Sequence, residues 1–213
     1  DENVNRFFQY SAIGIIGLFV VWKGVIPALT AIDTDFPNYY TSSRLLLEGK
    51  GISRLYDDNW FQGQMLSYGI EQEGKFSPFP PVTAFLMIPL AMLPPEQALR
   101  VWTVINIVVC AATVIMVSKI TGKDWRWSSL LVLGSGIALT NNFRFGQWYL
   151  MLVFVMVAGY YLLEHQRFIS AGILFGIGAA FKYFPIVLLP ICFAKKQWHV
   201  ALSLMLTTVI IYA

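Results

Sequence analysis

The feature that most constrains this chain is its apolar runs, the first of which extends from Phe7 to Ala31 with almost no polar interruption. A run of about 18 to 25 apolar residues crosses the hydrocarbon core of a bilayer as a helix. This run is too long for the apolar part of a secretory leader and lacks a small-residue cleavage site, so we expect a permanent span. Hydrophobic residues make up 57% of the chain and charged residues only 13%, against about a quarter charged in a typical soluble domain. The sequence therefore predicts an all-α polytopic membrane protein.

The charge pattern and the cysteines exclude other classes. The net charge of +3 comes from loop lysines and arginines without a basic tract, so we predict no nucleic-acid partner. Cys110 and Cys192 lie inside apolar runs and are interpreted as buried hydrophobic residues. Because the chain begins without Met and ends within an apolar run, we expect a piece of a longer protein.

Loop charges indicate how the apolar segments connect across the membrane. The segment 82–93 is about 14 residues long, contains Pro89 and lies between proline pairs, which favours a juxtamembrane helix over a span. If it does not cross, the basic residues of three later loops all fall on the inner side; if it crosses, all three fall outside. We therefore predict about seven spans, with residues 1–31 as the first membrane helix, 32–98 as an outer loop and 99–213 as the remaining bundle. The spans after the loop are expected at 99–119, 128–139, 148–163, 168–181, 184–193 and 200–213.

The outer loop is predicted to hold two short helices. Residues 39–48 form an amphipathic segment that ends at Gly49-Lys-Gly51. A second piece covers 53–68, and its mixed aromatic and aliphatic side suits a helix that lies in the membrane interface. The apolar side chains of that piece are Leu55, Tyr56, Trp60, Phe61, Met65 and Leu66.

On this topology several ionisable residues at the ends of apolar segments lie on the outer side of the membrane. Asp33 and Asp35 follow the first span, and Arg144 and Lys182 lie at helix ends beside aromatic residues. Ionisable residues near membrane depth are costly and are usually functional, and two cations beside an apolar bundle suit a lipid phosphate. Each also has a plainer interpretation: Lys182 extends to the interface, Arg144 caps a turn or pairs with a loop acid, and one aspartate caps the helix that begins near Pro37. No metal-ligand spacing is visible, so no cofactor is predicted, although the sequence leaves assistance by a divalent metal open.

An ordered series of short motifs runs along nearly the whole chain. They are Asp35-Phe-Pro-Asn-Tyr-Tyr40, Leu47-Glu-Gly-Lys-Gly51 with Leu55-Tyr56-Asp57, Phe79-Pro-Pro81 with Ile88-Pro-Leu-Ala-Met-Leu-Pro94, Val101-Trp102 with Asn106, Phe145-Gly-Gln147, and Gly176-Ile-Gly-Ala-Ala-Phe-Lys-Tyr-Phe-Pro185 with Leu188-Leu-Pro190. Each motif is weak alone, but in this order they resemble the GT-C glycosyltransferases of family 87, which are similar to polyprenol-phosphate-mannose-dependent mannosyltransferases.

The resemblance implies a GT-C helical bundle with juxtamembrane helices and a catalytic aspartate in the first outer loop. The aspartate maps most naturally to Asp35, with Asp33 as the alternative. The donor would be a polyprenyl-phosphate-linked sugar, often mannose, and transfer to a lipid-linked or glycan acceptor would invert the anomeric centre. On this basis the donor phosphate is expected at Lys182, Arg144 and Lys75, and substrate contacts are expected from Tyr39, Tyr40, Arg44, Asn142 and Gln147.

The predicted reaction is general-base catalysis, in which Asp35 accepts the proton of the acceptor hydroxyl as the sugar leaves its phosphate. Membrane lipids are the expected surroundings, and the expected location is the bacterial inner membrane with the site on the extracytoplasmic face. The rival interpretation is a transporter or lipid-binding scaffold without catalysis. Charges gathered at one face and the lack of a visible inverted repeat favour the enzyme.

Overall fold

The computed structural model describes residues 2–213, and every regular element in that range is helical. A π-helical turn, Val21–Val25, joins the first two helices, and 3-10 turns lie at Ile52–Arg54 and Phe184–Val187. The α-helices are α1 (Glu2–Val20), α2 (Ile26–Thr30), α3 (Phe36–Leu47), α4 (Asp58–Ser67), α5 (Thr83–Leu86), α6 (Ile88–Ala91), α7 (Pro95–Thr121), α8 (Trp125–Leu133), α9 (Ile137–Arg144), α10 (Tyr149–Glu164), α11 (Phe168–Phe181), α12 (Leu188–Ala194) and α13 (Trp198–Tyr212).

Two helical stretches are long and apolar enough to cross a membrane. They are Asn3–Thr30, which contains the π turn, and Pro95–Thr121. Helices α9 and α10 meet the same criterion as a pair but bend by 120° at the break between them, so they add a third span if the pair counts as one. The remaining apolar helices have 10 to 17 residues, fewer than the about 20 that cross a bilayer unaided. The all-helical fold and the membrane setting agree with the sequence prediction, whereas helix length does not establish seven spans.

The predicted span at 128–139 is wrong in its bounds. Helix α8 ends at Leu133, and α9 continues to Arg144, so part of the segment between the spans predicted at 128–139 and 148–163 is helical. The break occurs because Gly136 adopts φ 57° and ψ −112°, a conformation that only glycine reaches without strain. Two short helices with a kink therefore replace one continuous helix.

The outer region, residues 32–94, has an aromatic core that it shares with the start of α7. The predicted interface helix contributes Leu55, Phe61 and Met65 to that core at exposures of 2% or less, so the prediction that its apolar side lies in the membrane interface is wrong. Only part of that side, including Tyr56 and Leu66, stays exposed. Burial of each large side chain contributes about 1.5 to 3 kcal/mol, so these contacts fix the shape of the region. Other members of the core are Phe36, Tyr39, Tyr40, Phe76, Phe79, Met87, Ala98 and Trp102.

Helices α11 and α13 pack at close range through small residues. A Cβ atom at Gly172 would lie 2.5 Å from the Val200 carbonyl oxygen, and one at Gly176 would lie 2.7 Å from that of Leu204. Small residues that let helix backbones approach closely are a common packing device of membrane helices.

Candidate functional site

The turn Phe145–Gln147 docks on the start of α3 and builds the site. The Phe36 amide donates to the Phe145 carbonyl at 2.9 Å, and the Trp102 indole donates to the Gly146 carbonyl at 2.9 Å. Gly146 has φ 63°, and a Cβ atom there would lie 2.7 Å from Cβ of Phe36. Both the conformation and the close approach therefore require glycine. These contacts place Gln147 beside the residue that precedes α3.

Asp35 occupies that position, as the N-cap residue of α3. Its Oδ2 accepts a hydrogen bond from Nε2 of Gln147 at 2.5 Å, while no described residue donates a hydrogen bond to Oδ1. The Asp35 side chain does not cap the helix, although Asp is a favoured capping residue. One carboxylate oxygen is thus held in place and the other is available to a ligand.

Tyr39 lies one helical turn beyond Asp35 and links the carboxylate to a cavity. Its side chain is 2% exposed, and burial, followed by the Asp35 carboxylate and by Tyr149, raises the pKa of its phenol far above the usual range. The phenol therefore stays protonated and can serve as a hydrogen-bond donor at neutral pH.

The cavity has a volume of about 210 Å³ and is called the aromatic cavity below. Lys182 is its cation: Nζ lies 4.9 Å from the ring centre of Tyr149 and 5.3 Å from that of Phe79. Trp148 lies against Tyr39 and Phe181, and its indole N–H is buried without a hydrogen-bond partner among the described residues. An unpaired buried donor costs about 1 to 3 kcal/mol. The cavity is lined by Tyr39, Phe79, Thr83, Leu86, Trp148, Met151, Leu152, Val155, Ile177, Gly178, Phe181 and Lys182.

An apolar groove of about 340 Å³ starts at Tyr149, the residue whose ring contacts Lys182. It follows α10 past Val153 and Val157 and is closed by side chains of α7, α8 and α9, including Val117 and Leu131. The groove is lined mostly by apolar side chains and adjoins Lys182 through Tyr149.

Arg144 and Lys182 were expected to contact the same donor phosphate, but in the structure they line different cavities. Arg144 Nε lies 3.2 Å from Oδ2 of Asp33 in an ion pair, and both residues line a different cavity, of about 480 Å³. One of the plainer interpretations of Arg144, pairing with a loop acid, is therefore present. Lys75 is exposed and is not part of the aromatic cavity. Of the three predicted phosphate ligands, Lys182 alone lies in that cavity.

Three residues predicted to contact substrate form internal hydrogen bonds in the structure. The Tyr40 hydroxyl donates to the Leu93 carbonyl at 2.7 Å, and Arg44 donates to the Ala91 carbonyl at 2.7 Å, so both tie α3 to the chain around α6. Asn142 is 2% exposed, donates to Oδ1 of Asn106 at 2.9 Å and accepts from the Leu150 amide at 2.9 Å. Buried polar groups need such partners, so Asn142 joins α7, α9 and α10.

Sequence reasoning missed the aromatic residues that surround Lys182. Trp148 follows directly after the Phe145-Gly-Gln147 motif, which was a usable signal. Phe79 and Phe181 lie within motifs quoted above but were given no role there. Tyr149 carried no such signal, because an aromatic residue in an apolar run usually packs in a core. Residues 2–213 contain no group of three or more His, Cys, Asp or Glu side chains placed to hold a metal ion.

Comparison with known families connects this site to a class of enzyme. The model of glycosyltransferase family 87 matches residues 78–213, which include the docking turn, Lys182 and most of the aromatic cavity. The chain belongs to glycosyltransferase family 87. No curated protein and no solved structure gives a significant match to the chain. Family 87 membership supports a glycosyltransferase, the class that the sequence predicted ahead of a transporter.

Proposed function

We propose that this family 87 protein transfers a sugar from a polyprenyl-phosphate donor to an acceptor hydroxyl, with Asp35 as the general base. The observation that carries the proposal is the position of Asp35 beside Tyr39, which lines the cavity that holds Lys182. Asp35 itself does not line this cavity, and Tyr39 connects its carboxylate to the space that holds Lys182. An inverting displacement requires a base on one side of the sugar and charge stabilisation on the other.

The donor would lie with its phosphate at Lys182 and its hydrocarbon chain in the groove that begins at Tyr149. The sugar would occupy the aromatic cavity, whose wall includes the side chains of Tyr39 and Trp148. A hexose such as mannose suits the resemblance stated above. Arg144 contributes less in this arrangement than the sequence predicted, because it pairs with Asp33.

In the reaction, the acceptor oxygen attacks the anomeric carbon as the bond from that carbon to the phosphate oxygen breaks. The phosphate leaves with the bonding electrons, and Lys182 stabilises the charge that develops on it. Oδ1 of Asp35 takes the proton of the acceptor hydroxyl, while Gln147 fixes Oδ2. The new glycosidic bond has the inverted configuration, and the products are a polyprenyl phosphate and the glycosylated acceptor.

The test is transfer by purified protein in lipid nanodiscs, supplied with radiolabelled polyprenyl-phosphate mannose and a mixed glycolipid extract as acceptor. We expect label to appear in a glycolipid or glycan fraction and to depend on the polyprenyl donor. Transfer from a nucleotide sugar with no use of the polyprenyl donor would contradict the proposal. The extracytoplasmic side of a bacterial inner membrane is the proposed location, because polyprenyl-linked sugars serve as donors where nucleotide sugars are absent.

A further inference from the structure

A second cationic cavity lies beside the first helix, separate from Lys182. Its cations are Lys23, in the π-helical turn, and Arg144, at the end of α9. Its volume is about 480 Å³, and its apolar wall comes from the first helix. The full lining is Trp22, Lys23, Ile26, Pro27, Thr30, Ala31, Asp33 and Arg144. We call this the helix-1 cavity.

Packing around Gly24 explains why the two cations share a cavity. A Cβ atom at Gly24 would lie 2.9 Å from the Thr140 carbonyl oxygen and 3.2 Å from Cβ of Phe143. Helix α9 therefore rests directly on the π turn, and its last residue, Arg144, is carried to the same side as Lys23. π-helical turns within α-helices are rare and are frequent at functional sites.

The charges of the helix-1 cavity do not balance. Lys23 and Arg144 contribute two positive charges, and Asp33, which pairs with Arg144 at 3.2 Å, contributes one negative charge. Lys23 lies with Nζ 4.1 Å from the ring centre of Trp22, a contact that orients the ammonium without neutralising it. One positive charge is therefore left for an anionic ligand.

The position of Lys23 in the first membrane helix favours a lipid as the anionic ligand. Lys23 lies about 10 Å before the end of the helical stretch at Thr30, at 1.5 Å per residue, and a lysine side chain at that depth extends toward the headgroups. Trp22 and Ile26 are exposed on the first helix at 63% and 48%, so acyl chains can lie against the same wall. Tryptophan is enriched at this level of a membrane.

We propose that the helix-1 cavity binds the phosphodiester headgroup of an anionic membrane lipid through Lys23 and Arg144. This site is distinct from the proposed donor site at Lys182, and it does not depend on the proposed transfer reaction. Because Asp33 and Asp35 are separated by one residue, a lipid bound here lies next to the proposed base. Binding is therefore the property to test, whichever reaction the protein performs.

The experiment is native mass spectrometry of the purified protein in detergent, titrated with phosphatidylglycerol and, in parallel, with phosphatidylcholine. We expect preferential retention of phosphatidylglycerol. Each of Lys23→Gln and Arg144→Gln should weaken that retention about fivefold, from the contribution of one basic residue near a membrane surface. Lys119→Gln, which removes a lysine at the far end of α7, serves as the matched control and should leave retention unchanged. Equal retention of the two lipids by the wild-type protein would overturn the proposal.

The Asp33→Asn variant gives a result of opposite sign. Removal of the carboxylate frees Arg144 and raises the net charge of the cavity, so phosphatidylglycerol retention should increase. If Asp33 serves only to position Arg144, retention would fall instead, and the proposed charge balance would be wrong. Arg144→Lys, which keeps the charge, should retain more lipid than Arg144→Gln. Addition of millimolar inorganic phosphate separates the two sources of phosphate: displacement of the lipid at that concentration would indicate a site for soluble anions and overturn the lipid assignment.

Discussion

At the scale of single residues, the contacts of two aspartates distinguish their roles. Both follow the first membrane helix, and their sequence context left the order between them open. In the structure Asp33 is committed to Arg144, whereas Asp35 is held by Gln147 through one oxygen only. A general base needs an accessible oxygen near the reacting group, and this requirement favours Asp35.

Replacement of Asp35 by Asn is therefore expected to abolish most transfer. The amide keeps the shape and the possibility of a contact with Gln147 but cannot accept a proton, so the rate should fall by about 10² to 10⁴-fold. Transfer from polyprenyl-phosphate mannose by purified variants measures this. Asp58→Asn, a change on an exposed turn of α4, controls for loss of a surface carboxylate. Near-normal transfer by Asp35→Asn together with loss in Asp33→Asn would assign the base to Asp33.

Lys182 is expected to act on the donor phosphate. Lys182→Met removes a charge-assisted contact worth about 1.5 to 3 kcal/mol, so donor binding should weaken about 10- to 100-fold. Lys182→Arg should retain part of the affinity because it keeps the charge. Titration of a fluorescent polyprenyl phosphate measures the effect. Lys75→Met, which changes an exposed lysine outside the aromatic cavity, is the comparison; an equal loss there would show that general membrane charge, not the cavity, binds the phosphate.

At the scale of elements, the Phe145–Gln147 turn determines where Asp35 points. Gly146→Ala places a methyl group against Phe36 in a backbone conformation that costs about 1 to 3 kcal/mol for a residue other than glycine. We expect a lower unfolding temperature and a loss of transfer, since the displaced turn would move Gln147 away from Asp35. Thermal unfolding and transfer are measured on the same preparation.

Gly49→Ala is the matched control for that change. Gly49 also has positive φ, at 66°, but an added Cβ would meet no atom within 4 Å. The Gly49→Ala variant should therefore lose stability from the backbone conformation alone and keep its transfer activity. Equal loss of activity in both variants would mean that the docking turn has no specific effect on Asp35.

Glu48 connects α3 to the rest of the outer region in a pH-dependent way. Hydrogen bonds from Lys50 and then Arg44 lower the pKa of Glu48 from 4.5 to about 2. Since the folded-state pKa is depressed, the stabilisation is fully present above pH 4.5 and disappears as the pH falls toward 2. The unfolding temperature of Glu48→Gln should thus lie below that of the wild type at pH 7, and the gap should narrow below pH 4.5.

Glu73→Gln, which removes an exposed carboxylate from the same region, reports the effect of charge alone. If the difference in unfolding temperature between the wild type and Glu48→Gln stayed constant from pH 7 to pH 3, the ionised Glu48 carboxylate would be excluded as the source of that difference.

The sequence predicted the helical class and the membrane helices correctly, because these follow from local patterns of apolar residues. The role of Asp35 stays a prediction. Prediction from the sequence failed where the outcome depends on residues distant in the chain. The pairing of Arg144 with Asp33 and the burial of Asn142 against Asn106 are examples. Likewise, Leu55 and Phe61 have an amphipathic pattern that fits either an interface or a folded core. The packing of Phe76 and Met87 against these residues shows that they belong to a folded core.

At the scale of the whole molecule, the contacts of the outer region constrain how the chain crosses the membrane. Residues 32–94 connect the first membrane helix to the start of α7, so those two ends share a side. If α7, which is long and apolar enough to be a span, crosses the membrane, it carries the chain to the opposite side at Thr121. The ion pair of Arg144 with Asp33 and the contact of Gln147 with Asp35 bring the chain back to the first side. On that topology residues 122–143 recross the membrane, although α8 and α9 are each shorter than a span and are separated by a kink.

Helix α10 then leads away from the site again. Its length, Tyr149–Glu164, corresponds to about 24 Å at 1.5 Å per residue, less than the about 30 Å of a bilayer core. The 120° bend between α9 and α10 allows two arrangements. Either α10 crosses the membrane, or α9 and α10 form a re-entrant hairpin and α10 ends on the side of Asp35. The position of Gln166, just beyond α10, distinguishes the two.

Single cysteines at Glu73, Lys123 and Gln166 resolve this arrangement when Cys110 and Cys192 are first replaced by Ala. The contacts above predict that a membrane-impermeant maleimide applied to intact spheroplasts labels Glu73→Cys. Lys123→Cys should react only after permeabilisation, since α7 lies between the two positions. If α10 crosses, Gln166→Cys should behave like Lys123→Cys. Labelling of Gln166→Cys in intact spheroplasts would show that α9 and α10 form a re-entrant hairpin. In that case α11 and α13 would begin on the side of Asp35. Because Lys182 follows the end of α11, it could then reach the aromatic cavity only if α11 did not cross the membrane.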